Sequence, residues 1–113
     1  MALVMEAAYM SRVEVLDRMF GAVLAEIDKY GLGKESVIAF TADHGETLFE
    51  EGRSARWTHS PELLPEVIGV PLMIRAPGAA ARTVDSATRS IDVYPTLAGL
   101  AGVEVPDLSL IHI

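Results

Sequence analysis

The chain contains no cysteine, which removes disulfides and any thiolate metal site from this segment and leaves the redox compartment open. Cations are scarce. Nine Lys and Arg stand against sixteen Asp and Glu, for a formal net charge of −7. Nonspecific nucleic-acid affinity needs clustered Lys and Arg, so a phosphate-backbone binder is excluded. An anionic substrate would need local positive charge, most simply a metal ion. No membrane-spanning run, internal repeat, low-complexity tract or interdomain linker is present. The opening Met1-Ala2-Leu3-Val4-Met5 lacks a basic flank and leads into a helical pattern, so it does not read as a signal peptide. Localisation stays open between periplasmic or extracellular, membrane-anchored and cytoplasmic.

What is there fits one small globular domain: 113 residues, half of them hydrophobic and 22% charged, imply a real core. Over residues 7–30 the apolar positions Tyr9, Val13, Leu16, Phe20, Val23, Leu24 and Ile27 recur at three and four residues. That spacing predicts an amphipathic helix, stopped by Gly31 and Gly33. Glu14 and Arg18 are spaced to pair on its exposed face, and Asp17 reads as a solvated or structural acid. Residues 37–42 form a short apolar run rich in β-branched and aromatic residues, read as a buried strand. A second strand is expected over 67–74, with Pro71 at an edge or strand entrance because it cannot donate to a ladder. Arg75 at its end reads as the partner of a nearby acid. A short extended segment is expected within 83–90. A last helix is expected over 93–101, with Asp92 as its cap, Pro95 in its first turn and Gly102 after its end.

The chemistry concentrates where the first strand stops. In open α/β sheets, ligands bind beyond the carboxyl ends of parallel strands, and Asp43-His44-Gly45 lies there. An aspartate oxygen beside a histidine nitrogen suits a mixed-ligand site for a divalent metal. Capping by Asp43, with His44 bonded to backbone, explains the same residues, and Asp-His-Gly alone is a weak motif. Gly45 would free the backbone to turn sharply. The polar stretch that follows holds Glu46, Glu50, Glu51, Arg53, Arg56, Trp57 and His59. His59 is the second site candidate, set against an exposed loop histidine. Trp57 reads as a loop anchor, and Glu46 and Glu50 as solvated or structural acids.

Four blocks taken together are more specific than any one of them. Ala39-Phe40-Thr41-Ala42-Asp43-His44-Gly45-Glu46, Trp57-Thr58-His59, Val70-Pro71-Leu72-Met73-Ile74-Arg75-Ala76-Pro77-Gly78 and Ile91-Asp92-Val93-Tyr94-Pro95-Thr96-Leu97 resemble, in order and rough spacing, the sulfatase family of the alkaline phosphatase superfamily. The likeness runs from about Tyr9 to Pro106 and covers the carboxyl-terminal part of the catalytic domain.

The resemblance implies an α/β fold, part of an alkaline-phosphatase-like parallel sheet with covering helices and incomplete in this segment. Residues 1–107 would be a partial catalytic domain, and 108–113 a truncated or non-native tail in which His112 has no role. It also implies a metal-dependent sulfuric ester hydrolase acting on a small anionic ester, with Asp43 and His44 as metal ligands and His59 as the catalytic histidine. The metal would be calcium, manganese or zinc. His59 would touch the substrate's charged group or leaving oxygen, or help hold a second metal. The remaining metal acids and the nucleophile would lie in the missing amino-terminal part of the domain. That nucleophile is a cysteine or serine matured to formylglycine in sulfatases, and a serine or threonine in relatives acting on phosphorus. His44 stands where many calcium-dependent arylsulfatases have asparagine. The alternatives are therefore a phosphomonoester or phosphodiester hydrolase or a phosphoethanolamine transferase of the same superfamily, and then a noncatalytic structural segment.

Overall fold

A computed structural model describes residues 2–48, 58–59 and 63–105. Helix α1 spans Ala2–Lys29 and begins earlier than its apolar pattern suggested. It ends where Gly31 takes a left-handed conformation, φ 72°, which costs a residue without Cβ little. Lys29 lies in the last turn, where a cation suits the helix dipole, and pairs with Glu26 at 3.0 Å. A single 3-10 turn, Leu32–Lys34, leads into strand β1, Ile38–Thr41.

The second apolar run divides in two. Pro65–Ile68 forms a one-turn helix, α2, with Pro65 in its first turn, and Gly69 ends it by donating its N–H to the Pro65 carbonyl at 2.9 Å. Strand β2 is Leu72–Arg75, so Pro71 stands just before it and withholds no ladder bond. The single strand expected over 67–74 therefore gives way to a helical turn and a shorter strand, because proline presets helical φ at residue 65.

The two strands pair antiparallel, with Ile38 opposite Arg75 and Thr41 opposite Leu72. This differs from the parallel arrangement anticipated within the segment. A parallel partner needs a crossover that returns the chain to the starting end of the first strand. Here β2 begins beside the end of β1, so the chain re-enters at the same edge and runs back.

Helix α1 meets the sheet through its carboxyl-terminal half. Phe20 and Phe40 rings lie 4.8 Å apart at 47°, a tilted pair contributing about 0.5–1.5 kcal/mol beyond its buried area. Arg75 reaches Asp28 at 3.0 Å, the acid partner expected for it. Both side chains are about half exposed, so the pair contributes at most about 1 kcal/mol.

Residues 83–90 carry no strand; they lead into a 3-10 turn, Ser90–Asp92, and then α3, Val93–Leu100. Asp92 does not cap that helix with its side chain. Its carboxylate instead accepts two 2.9 Å bonds from Arg89. Those bonds, with the attraction of the guanidinium, hold its pKa below the ordinary aspartate value. Its carbonyl accepts from the Thr96 hydroxyl at 2.6 Å.

Among the described residues a full core is not assembled: Val67 is the buried hydrophobic side chain and Thr47 the buried polar one. Leu3, Val4, Met10, Leu16, Met19 and Val23 of α1 are all more than half exposed. Among these residues the apolar content expected to form a core lies largely on the surface.

Candidate functional site

The site begins two residues past β1. Asp43 sits in a bend, and its Oδ1 accepts the His44 backbone N–H at 3.0 Å. The Asp43 side chain is 89% exposed, and its Oδ2 lies 3.8 Å from His44 Nε2. The other ring nitrogen of His44 is 2.8 Å from the Gly45 carbonyl oxygen. A carbonyl only accepts, so in that contact Nδ1 donates, and Nε2 is the ring nitrogen beside Asp43. A backbone carbonyl that fixes the tautomer in this way is the usual support of a metal-ligating histidine.

Two donors each about 2.0–2.2 Å from one ion lie about 3–4 Å apart. The 3.8 Å between Oδ2 and Nε2 is compatible with that geometry. Two donors are also all that gather there. No group of three or more His, Asp or Glu able to hold one ion occurs among the described residues.

Gly45 does not take a positive φ, and its missing side chain serves a close approach instead. Its N–H donates to the Val67 carbonyl at 2.6 Å. A Cβ at this position would collide with the Glu66 carbonyl oxygen. Glycine is needed because the site loop lies directly against the α2 backbone, beside the buried Val67.

Two residues further on, Thr47 is fully buried and pairs with Thr58 in an isolated antiparallel bridge. Its N–H and its hydroxyl both donate to the Thr58 carbonyl, at 3.1 and 2.6 Å. This clamp brings a distant part of the chain back to the strand end. With Thr47 opposite Thr58, the antiparallel register sets Glu46 opposite His59, and His44 on the same side as Glu46. The side chains follow. Glu46 Oε2 is 3.8 Å from His59 Nδ1. The His44 and His59 rings stack with centroids 4.5 Å apart.

Asp43, His44 and His59 therefore lie in one neighbourhood, and Glu46 joins them. Reading Glu46 as an ordinary solvated acid understates it: the side chain is 28% exposed, less than half the exposure of His59. Its Oε1 is buried with no hydrogen-bond partner among the described residues, an arrangement that costs about 1–3 kcal/mol. The sequence alone carries no signal for it, because the contact with His59 depends on the long-range Thr47–Thr58 bridge. A cavity of about 400 Å³ lies between Glu46 and α1. Arg12 is on its wall and brings positive charge to this side of an acidic chain. Glu50, Glu51, Arg53, Arg56, Trp57 and His112 lie outside the described residues.

Comparison with known proteins identifies the family of the chain. The profile of the family described as Sulfatase matches residues 5–103. The chain is 35% identical over 98 residues to an endo-4-O-sulfatase of Bacteroides thetaiotaomicron, covering 84% of this chain and 18% of that protein. It is 36% identical over 113 residues to the steryl-sulfatase of Mus musculus, covering 90% and 18%. It is 30% identical over 103 residues to a low-salt glycan biosynthesis sulfotransferase of Haloferax volcanii, covering 89% and 25%. The chain thus spans about a quarter or less of the length of these relatives. No solved structure gives a significant match.

Proposed function

Because the chain belongs to the sulfatase family, we propose that it is the carboxyl-terminal part of a catalytic domain hydrolysing sulfuric esters with a divalent metal ion held in part by Asp43 and His44. Membership implies the α/β fold of alkaline-phosphatase-like enzymes. The observation that carries the metal assignment is the pair of constraints on adjacent residues. His44 Nδ1 is engaged by the Gly45 carbonyl, and Asp43 Oδ1 by the His44 N–H. One donor atom from each is left facing a common space. Relatives named as sulfatases support sulfur over phosphorus as the reacting centre.

A bound divalent ion would neutralise charge on the ester's nonbridging oxygens and activate the nucleophile. The residues of this chain set the stage for that chemistry. Asp43 contributes a carboxylate oxygen and His44 a neutral imidazole nitrogen. His59 stands one ring away from His44, close enough to the ion's place to meet an ester bound there. With Nδ1 turned to Glu46, Nε2 is the nitrogen that would meet the leaving oxygen, and in the imidazolium form it would donate a proton there.

The other ligands and the nucleophile come, in this reading, from chain preceding the segment. The exposed surface supports it. A two-stranded sheet is marginal by itself, and the apolar side of α1 is a patch of the kind that marks an interface.

The deciding experiment uses the full polypeptide that carries this segment. Asp43→Ala and His44→Ala should lower bound metal, read by elemental analysis, and turnover of 4-nitrophenyl sulfate together. The loss should exceed the roughly 10–100-fold typical of removing a supporting contact. Full metal content and rate in either variant would defeat the assignment. Preferential turnover of bis(4-nitrophenyl) phosphate by the parent would move the reaction to phosphorus.

A further inference from the structure

We propose that Glu46 is a positioning residue for His59: its carboxylate, 3.8 Å from Nδ1, sets which edge of the His59 ring faces it and so turns Nε2 toward the reacting ester. The inference rests on the sulfuric-ester reading above and adds to it a residue that neither metal binding nor nucleophilic attack requires.

Three observations converge on it. The Thr47–Thr58 clamp sets Glu46 directly across from His59, so the pair is a product of backbone register rather than of two mobile side chains meeting. Glu46 Oε2 faces Nδ1, at 3.8 Å, while the His44 ring stacks on the His59 face at 4.5 Å. The carboxylate constrains which nitrogen points where, and the stack constrains the plane of the ring. Together they determine the direction of Nε2 on a side chain that is otherwise 65% exposed. Finally, Glu46 retains a buried oxygen without a hydrogen-bond partner among the described residues.

A carboxylate beside Nδ1 favours the ring orientation in which an N–H faces it, which leaves Nε2 on the opposite edge. The ring is thereby aimed before substrate arrives. Glu46 does not touch the ester. Its effect passes through His59.

The test compares Glu46→Ala, Glu46→Gln, His59→Ala and the Glu46→Ala/His59→Ala double variant in the full polypeptide. Nitrogen-15 spectroscopy of the labelled histidine rings reads the His59 tautomer independently of any activity. Glu46→Ala should abolish the Nδ1–H preference, and Glu46→Gln, which keeps an oxygen acceptor there, should restore it in part. With 4-nitrophenyl sulfate, Glu46→Ala should lower kcat about 10- to 100-fold with little change in KM or metal content. It should cost nothing further in the His59→Ala background, because positioning acts through that ring. The melting temperature should be unchanged, since positioning of His59 is not a contribution to stability. An unchanged tautomer in Glu46→Ala, or a rate loss that tracks a falling melting temperature, would overturn the proposal. If the parent turns over no sulfate ester, the sulfuric-ester reading fails, and the spectra still decide whether Glu46 orients His59.

Discussion

Replacing Gly45 by alanine tests how the site is held. The added methyl would meet the Glu66 carbonyl oxygen inside hard contact. That atom belongs to the α2 backbone and cannot rotate aside as a side chain would. Relief requires the loop and α2 to part, which stretches the 2.6 Å bond from Gly45 N–H to the Val67 carbonyl. Overpacking of a tight contact costs about 1–3 kcal/mol, and a weakened backbone hydrogen bond about 0.5–1.5 kcal/mol. Together they amount to roughly 2–4 kcal/mol, a factor of about 30 to 1,000 in the folded-to-unfolded ratio. Since Asp43 and His44 immediately precede this contact, their spacing should shift with it, and metal affinity should fall even though neither ligand is altered. The assay is denaturant unfolding of Gly45→Ala in the full polypeptide, together with hydrogen exchange at the residue 45 amide and a metal titration. A variant within about 0.5 kcal/mol of the parent, with the same amide protection, would show that the loop has room and that Gly45 serves another purpose.

Two further outcomes are expected. His59→Ala should lower turnover of 4-nitrophenyl sulfate while metal content stays near that of the parent; an unchanged rate would return His59 to an exposed loop histidine, and a large loss of metal would indicate a second ion. The isolated 113-residue chain, with most of its apolar side chains exposed, should be protease-sensitive or aggregation-prone, bind calcium, manganese or zinc weakly, and hydrolyse neither 4-nitrophenyl sulfate nor bis(4-nitrophenyl) phosphate. Sustained metal-dependent turnover by that chain, lost in Asp43→Ala, would show that the segment carries a complete site.

Local elements were legible because their causes are local. The three- and four-residue spacing from Tyr9 to Ile27 marks a helix, and Gly31 ends it in the left-handed conformation that glycine tolerates best. The apolar run through Phe40 makes β1, and the acid and imidazole at its end have no apolar role to compete with a chemical one. Pro65 and Pro71 also act locally, yet they were harder to read together. One starts a helical turn and the other merely precedes a strand, and the apolar residues between them suit either.

The sequence by itself thus determined the long helix, the first strand, the position of Asp43 and His44 at its end, and the family to which the chain belongs. Tertiary structure alone decided the strand direction, the need for glycine at 45 and the partnership of Glu46 with His59. Each depends on residues far apart in the chain: Thr41 beside Leu72, Gly45 against Glu66, Thr47 on Thr58. Hydrophobic periodicity reports which face of an element is apolar. It carries no information about which backbone that face or its loop will meet, because register and close approach are set by hydrogen bonds and excluded volume between segments that the pattern treats as independent.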